Sequence, residues 1–297
     1  KRHAFAFVSP VTCTNATLSL LLTAAGAVEL EDVSLYPRDT YKGRPRGLRR
    51  DMAELVGEMR PSFLRFPGGC VLEGTNFTTW LDWKRTVGPL ERRSAEKGLW
   101  SWIQTFGLGY FEYFQWCEDA GMRPLPVVIA GVTCQCRPKE RVCPEAGIDY
   151  FVKNALDLIA FATDAPDTEW GAVRAAMGHP APFALDMIGV GNENWGDEFL
   201  ARAWKIEQAV RAKYPKVRVI RSLGAGVDSP EWRKSMAFYN AKDAGGEPGI
   251  GDEHYYPTPE QCLAYADRYD AYDRRGQRIF VGEYACRLAT RTFDKVG

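Results

Sequence analysis

The stretch DMIGVGNENWG at residues 186–196 decides the fold that we expect for this chain. A short apolar run rich in β-forming residues ends in glycines, and Asn192-Glu193 follows with Trp195 close behind. This pattern predicts a buried strand whose C-terminal end presents a carboxylate. Partial burial favours the protonated form of a carboxyl group, so Glu193 is a candidate general acid. A helix-cap or surface glutamate is the competing interpretation of this stretch alone.

A second stretch, IFVGEYA at residues 279–285, repeats the order of apolar run, glycine, glutamate and aromatic residue. The C-terminal ends of parallel strands gather at one mouth of a barrel, so Glu193 and Glu283 can converge although they are distant in sequence. Glycoside hydrolases use two carboxyl groups, one on either side of the glycosidic bond that they cleave. The two stretches together therefore predict a carboxylate-pair active site.

From about residue 48 the pattern alternates between helix and strand. Helices are predicted at residues 48–59, 100–120, 150–162, 199–213, 231–241 and 259–274, and strands at 63–66, 125–130, from 186, 217–223, 250–254 and 279–281. Such alternation predicts an α/β fold with a parallel sheet, and polar groups at strand C-termini favour a (β/α)8 TIM barrel. We count six barrel strands rather than eight, so an incomplete barrel is expected in this chain.

The first forty residues have a different pattern. Residues 1–40 are predicted to be the C-terminal part of a carbohydrate-binding-like β-sandwich and a linker, because segments between residues 4 and 35 alternate apolar and polar side chains. Pro37 and Gly43 mark the linker. Residues 41–297 then form the partial barrel. The chain has no initiator methionine, and we interpret it as an excerpt or a processed form.

Composition limits the classes of partner. The 297 residues include 38 basic and 38 acidic side chains, which gives no electrostatic case for nucleic acid or an anionic membrane. No apolar run approaches the ~20 residues of a membrane span. The dinucleotide fingerprint, the P-loop, the nucleophile elbow and the HExxH motif do not occur. These observations predict a neutral substrate and chemistry without a cofactor or metal.

The cysteines and glycosylation motifs indicate the cellular compartment of the protein. The chain has eight cysteines and two sequons, at Asn15 and Asn76, which favour secretion and glycosylation. Cys134, Cys136 and Cys143 form a candidate zinc set, but their spacing is not that of a zinc ribbon. Disulfides between loops or free thiols are the preferred interpretation.

Six short motifs, taken in this order along the chain, resemble the signature motifs of glycoside hydrolase family 51, the α-L-arabinofuranosidases. They are FLRFPGG at residues 63–69, WKRTVGP at 83–89, GLGYFEY at 107–113, GNE at 191–193, HYY at 254–256 and GEY at 282–284. The resemblance is to the branch in which a β-sandwich is inserted before the second barrel strand. It implies a retaining hydrolase that releases terminal α-L-arabinofuranosyl groups from arabinose-containing polysaccharides.

The resemblance also implies roles for individual residues. Glu193 matches the acid/base and Glu283 the nucleophile. Asn192 matches the amide that binds the hydroxyl next to the anomeric carbon, and His254, as a neutral imidazole, and Tyr256 match residues beside the nucleophile. Cys70 departs from the pattern, since many members have Asn after the paired glycines.

Two further substrate-site candidates come from the residues themselves. Arg65 can pair with a catalytic carboxylate, with an ordinary strand-end salt bridge as the alternative. Trp195 can offer an aromatic face to a sugar ring. Two alternatives to the arabinofuranosidase remain open. One is a retaining barrel glycosidase with a different sugar specificity, and the other is a non-catalytic carbohydrate-binding fragment.

Overall fold

The structure, a computed structural model, describes residues 3–31, 33–137, 142–144 and 147–287. The chain divides into two units, Lys1–Leu35 and Tyr36–Gly297. In the described part of the first unit no residue is assigned to a helix or strand, so the strands predicted there are wrong. A strand needs a hydrogen-bonded neighbour, which an alternating pattern alone does not supply. The β-sandwich origin of residues 1–40 stays a prediction, and residues 288–297 of the predicted barrel lie outside the described residues.

The described residues of the second unit contain strands and helices in alternation. The strands are β1 (Phe63–Phe66), β2 (Glu96–Lys97), β3 (Ile103–Gln104), β4 (Arg123–Val128), β5 (Met187–Val190), β6 (Arg218–Ser222), β7 (Ile250–Tyr255) and β8 (Arg278–Tyr284). The helices are α1 (Arg50–Glu58), α2 (Tyr110–Ala120), α3 (Ile148–Thr163), α4 (Glu169–Ala176), α5 (Asp197–Lys213), α6 (Pro230–Lys242) and α7 (Pro259–Ala264).

The helices begin at recognisable sequence features. The Ser229 side chain accepts a hydrogen bond from the backbone N–H of Trp232, and Pro230 takes the first helical position of α6. The longest helix, α5, has Asp197 in its first turn and Lys213 in its last, which complements the helix dipole.

Six of the strands form one sheet in the order β1-β4-β5-β6-β7-β8, with every neighbouring pair parallel. The six predicted barrel strands are thereby confirmed. All four residues of β5 are buried, as expected for a parallel sheet that is covered on both faces. Because the strands run in one direction, their C-terminal ends lie at one edge, where functional groups of such folds collect. The remaining strands, β2 and β3, form a separate antiparallel hairpin.

Two apolar clusters hold the sheet in place. The larger packs helices against the outer face of the sheet and includes Phe66, Phe114, Phe161 and Ile188, all almost fully buried. The smaller joins residues of successive strands: Leu125, Met187 and Ile220, with Ile250 and Phe280 packed against them. A layer of side chains from successive strands is how a parallel barrel fills its interior.

Some predicted boundaries differ from the structure. The helix predicted at residues 100–120 begins only at Tyr110, because the preceding segment contains β3 and the glycines Gly107 and Gly109. Glycine is a poor helix former, and the aromatic spacing of this segment was not helical. The helix predicted at residues 259–274 ends as α7 at Ala264, and the short helix α4 was not predicted.

Candidate active site

Glu193 stands on a tight turn at the C-terminal end of β5. Gly191 has φ +77°, and a Cβ atom at this position would lie 2.5 Å from the Phe199 ring and 2.8 Å from Asn194 Oδ1. Glycine is therefore required here by both backbone conformation and space. Glu193 itself has φ +54°, a left-handed conformation that side chains rarely adopt. Such strain is concentrated at functional sites, and here it turns the carboxyl group away from the strand.

The Glu193 carboxyl group is mostly enclosed, with its side chain 13% exposed. Oε1 lies 3.0 Å from His254 Nδ1. Oε2 lies 3.9 Å from the sulfur of Cys70. Cys70 thus occupies the site next to the predicted acid/base, at the position where the sequence departs from the family pattern.

Glu283 lies on β8 and is held by hydrogen bonds to both of its oxygens. Arg65 Nη1 donates to Oε1 at 3.1 Å, and the Tyr256 hydroxyl donates to Oε2 at 2.5 Å. Burial alone would raise the pKa of Glu283, but the charge of His254 and the hydrogen bonds from Tyr256 and Arg65 outweigh it and hold the pKa below its ordinary value. Glu283 is therefore an ionised carboxylate at neutral pH.

His254, at the end of β7, connects the two glutamates. Its Nε2 lies 3.3 Å from Asp252 Oδ2, and its Nδ1 lies 3.7 Å from Glu283 Oε2 in addition to its contact with Glu193. Burial lowers the pKa of the imidazole, but hydrogen bonds with Asp252 and Glu193 and the charge of Glu283 raise it to about 9. The expected neutral imidazole is corrected: with Asp252, Glu193 and Glu283 around it, His254 is charged at neutral pH.

Asn192 connects the turn to the first strand. Its Oδ1 accepts from Arg65 Nη2 at 2.7 Å, and its backbone N–H donates to Glu73 Oε1 at 3.2 Å. Its Nδ2 is buried and has no hydrogen-bond partner among the described residues. A buried donor without a partner is unfavourable by about 1–3 kcal/mol, so Nδ2 is available to a ligand.

Trp195 and Arg65 occupy different kinds of position. Trp195 is half-buried, and both its backbone N–H and its C=O pair with the amide group of Gln135, at 2.7 and 2.9 Å. Contact of the Trp195 ring with a sugar stays a prediction. The Arg65 side chain is 8% exposed, and besides Asn192 and Glu283 it lies 3.5 Å from Asp252. The expected pairing of Arg65 with a catalytic-site carboxylate is present in the structure.

Two groups of possible metal-ligating side chains occur among the described residues. The first group is Glu193, His254 and Glu283. Each residue offers one ligand atom, and these three atoms lie within 4.8 Å of one another. The charges of His254 and Arg65 disfavour a cation there. In the second, the same limit holds for buried Cys70, Glu73 and Cys134.

Sequence reasoning missed Glu73 and Asp252. Glu73 is fully buried, which raises its pKa well above the ordinary value, and the hydrogen bond from the Asn192 backbone N–H offsets only part of this effect. Glu73 closely follows the PGG turn, and this proximity was the one sequence signal that indicated its position near the site. Asp252 precedes His254 by two residues, so both side chains lie on one face of β7.

The cysteines form no disulfide in the structure. Of the three cysteines considered as a zinc set, Cys143 lies apart, with Arg202 Nη1 2.9 Å from its sulfur. The structure places Cys134 beside Cys70 and Glu73 instead. The Asn15 sequon is exposed, and the Asn76 side chain accepts hydrogen bonds from within its own turn.

Parallel strands alternating with helices, with carboxylates at the C-terminal ends of β5 and β8, define the (β/α)-barrel class. Residues 55–274 match the family described as "Alpha-L-arabinofuranosidase 1 domain", and the chain belongs to this family. It is 41% identical over 278 residues to "Extracellular exo-alpha-L-arabinofuranosidase" of Streptomyces chartreusis, a match covering 90% of this chain and 33% of that protein. It is 33% identical over 276 residues to "Alpha-L-arabinofuranosidase 1" of Arabidopsis thaliana, covering 91% and 37%. The chain thus spans about a third of the length of these curated relatives.

Solved structures agree on the fold. The arabinose-bound MgGH51 α-L-arabinofuranosidase aligns with a TM-score of 0.70 and 36% identity, covering 83% of this chain and 37% of that one. The arabinose complex of the enzyme from Thermotoga maritima aligns with a TM-score of 0.55 and 23% identity, covering 71% and 40%, which shows the fold alone. The predicted barrel fold and the predicted family are confirmed. Among the described residues, no helix has the length and apolar character needed to cross a membrane.

Proposed function

We propose that this chain supplies the acid/base and the nucleophile of a retaining α-L-arabinofuranosidase that acts on arabinose-containing polysaccharides. The observation that carries the proposal is that carboxylate oxygens of Glu193 and Glu283 lie within 4.8 Å of each other. Retaining glycosidases place their two carboxyl groups about 5–5.5 Å apart, whereas inverting enzymes need about 6.5–9.5 Å to admit a water. The spacing therefore supports double displacement.

Glu283 is the nucleophile in this proposal. Its lowered pKa keeps it ionised, and Arg65 and Tyr256 orient its two oxygens. In the first step a Glu283 oxygen attacks the anomeric carbon and forms an ester bond while the glycosidic C–O bond breaks. The proton of Glu193 passes to the departing oxygen.

Glu193 acts as base in the second step. It takes a proton from a water molecule whose oxygen attacks the anomeric carbon, the ester bond breaks, and Glu283 leaves as a carboxylate. His254 supports both states of Glu193 across their 3.0 Å contact. The charged imidazole donates its Nδ1–H to Glu193 Oε1 and orients the carboxyl group in both steps. Asp252, at Nε2, holds the ring in orientation.

Substrate binding rests on Asn192 and Trp195. The unpartnered Nδ2 of Asn192 is suited to donate to the hydroxyl next to the anomeric carbon, and its Oδ1 is fixed by Arg65. A bond that satisfies a buried donor adds orientation as well as affinity. Trp195, half-buried two residues after Glu193, covers an apolar face of the sugar in this proposal.

An extracellular location is also proposed. The relative from Streptomyces chartreusis is named as extracellular, and this chain carries an exposed sequon at Asn15. The balanced charge of 38 basic and 38 acidic residues suits a neutral polysaccharide.

A panel of aryl glycosides tests the proposed function. The protein is expected to cleave an aryl α-L-arabinofuranoside and to release arabinose first in the α configuration, while the aryl xyloside and glucoside stay intact. Cleavage of one of the other sugars alone would favour a different retaining glycosidase. Binding of arabinose without turnover of any aryl glycoside would favour the non-catalytic carbohydrate-binding protein.

A further inference from the structure

A second cluster of reactive side chains lies directly behind the acid/base. Cys70, Glu73 and Cys134 are buried, and one ligand atom of each lies within 4.8 Å of the other two. The cluster adjoins the active site, because the Cys70 sulfur is 3.9 Å from Glu193 Oε2. The proposed reaction makes no use of Glu73 or Cys134.

The strongest feature of the cluster is the carboxyl group of Glu73. Its Oε1 accepts from the backbone N–H of Asn192, whereas its Oε2 is buried and has no hydrogen-bond partner among the described residues. Buried carboxyl oxygens in folded proteins nearly always have a partner, and an unpaired one is unfavourable. An unpaired carboxyl oxygen beside two sulfurs is the arrangement of an open ligand set.

Cys134 is fixed against the other two residues of the cluster by its backbone. Its N–H donates to the carbonyl oxygen of Gly74 at 3.0 Å, which ties its loop to the loop that carries Cys70 and Glu73. The three side chains are thus held on two joined segments rather than on independent loops.

We propose that Cys70, Glu73 and Cys134 bind a soft divalent cation of the zinc and cadmium class, with a fourth position that faces Glu193. Two thiolates and one carboxylate are a donor set that Zn²⁺ accepts in tetrahedral geometry. Binding replaces the two thiol protons, and the proton of Glu73 where it carries one, and releases them to solvent without any redox change. The ligand set differs from the cysteine set considered from the sequence, since Cys70 and Glu73 stand in place of Cys136 and Cys143.

Occupation of this site inhibits the proposed reaction, and this consequence rests on the proposed function. The open fourth position lets the cation bind Glu193 Oε2, which lies 3.9 Å from the Cys70 sulfur. A carboxyl oxygen bound to a cation cannot deliver a proton to the leaving group in the first step. The cation therefore acts as an inhibitor of hydrolysis rather than as a cofactor.

Cadmium titration tests the site without any need for activity. The protein is first reduced and carries Cys262→Ser throughout, because Cys262 and Cys286 lie side by side and form a competing exposed thiol pair. Titration with Cd²⁺ should give ultraviolet cadmium–thiolate absorption that saturates at one ion per chain. Cys70→Ser and Cys134→Ser should each weaken binding at least 10-fold, whereas Cys117→Ser, which removes a buried cysteine of α2, should change nothing.

A further variant separates ligation from folding. Glu73→Gln keeps the shape of the side chain and an acceptor for the Asn192 N–H, so it should weaken Cd²⁺ binding about 10-fold or more while the absorption per bound ion stays the same. The proposal is overturned if the absorption and affinity are unchanged in Cys70→Ser and Cys134→Ser, or if they are lost in Cys117→Ser.

An activity measurement completes the test. Hydrolysis of an aryl α-L-arabinofuranoside should fall with the same Cd²⁺ dependence as the absorption rises, and Glu73→Gln should shift both curves together. Inhibition that keeps its original Cd²⁺ dependence in Cys134→Ser would refute the inhibitory role. A protein that cleaves no arabinofuranoside would contradict the proposed function, while the absorption would still decide whether the metal site exists.

Discussion

Arg65 and Glu283 are separated by 218 positions in the chain and form an ion pair at 3.1 Å. Arg65 lies on β1 and Glu283 on β8, the two outermost strands of the six-stranded sheet. The Phe63 and Phe280 rings of the same strands are also in contact, with centroids 5.1 Å apart. The sheet therefore curves until its two edges face each other, and the first strand orients the proposed nucleophile on the last.

The first prediction concerns this ion pair. Since the Arg65 charge helps to lower the pKa of Glu283, Arg65→Met should raise that pKa and move the acidic limb of the kcat/KM profile to higher pH. Misplacement of the carboxylate should also lower kcat by about 100-fold. The control is Arg123→Met, which removes an exposed arginine paired with Asp186 and should leave the profile unchanged. An acidic limb that stays in place in Arg65→Met would contradict the assigned role.

The second prediction separates the two glutamates. Glu283→Ala should abolish the covalent intermediate, whereas Glu193→Ala should still form it from an aryl glycoside whose leaving group needs no acid. On substrates that do need acid, Glu193→Ala should lose about 10²- to 10⁴-fold in rate. Azide added to Glu193→Ala should yield the α-arabinofuranosyl azide. Formation of the α-azide by Glu283→Ala instead would exchange the two roles.

The third prediction concerns His254 and the pH dependence of stability. The pKa of His254 is raised from 6.5 to about 9 in the folded protein, so its charged form stabilises the fold fully below pH 6.5. This contribution, on the order of 3 kcal/mol, is lost as the pH rises through 9. The free energy of unfolding by urea should therefore differ between the protein and His254→Gln by more at pH 6 than at pH 9.5. An equal difference at both values would refute the raised pKa.

The fourth prediction concerns a buried ion network outside the active site. Arg221 on β6 donates to Glu207 and to Asp243 at 2.6–2.9 Å, and all three side chains are almost fully buried. Arg221→Met should lower the free energy of unfolding by about 3–5 kcal/mol, because the two buried carboxylates then keep only the half-exposed Arg211 as a cation. Arg278→Met, which removes an exposed ion pair with Glu247, should change it by less than about 1 kcal/mol. Equal effects of the two variants would show that burial of the ion pair does not determine the loss in the free energy of unfolding.

The fifth prediction concerns the turn that presents Glu193. Gly191 and Gly178 both have positive φ, but a Cβ atom meets Phe199 only at Gly191 and meets nothing within 4 Å at Gly178. Gly178→Ala should cost about 1–2 kcal/mol of stability from backbone strain alone. Gly191→Ala should cost more, and it should also lower kcat because the turn carrying Glu193 must shift. A Gly191→Ala protein with unchanged kcat would show that the turn does not position the carboxylate.

Much of the fold could be predicted from local pattern. The apolar runs that end at Val190 and Val281 indicated strands, and the glycine and glutamate after each indicated where a carboxylate would stand. Helices with a clear apolar stripe were found within a few residues of their ends. The helix predicted at residues 100–109 was wrong. Glycine disfavours a helix, and Gly107 and Gly109 interrupt this aromatic-rich segment.

The sequence by itself determined the alternation of strands and helices, the family, and the two candidate glutamates, because each depends on residues close together along the chain. Only the tertiary structure decided which groups surround those glutamates. The pairing of Arg65 with Glu283, the contact of His254 with Glu193, and the contact of Cys70 with Cys134 join residues on different strands and loops. Such contacts depend on how the sheet curves and on the register between parallel strands, and neither is encoded in the spacing of neighbouring residues.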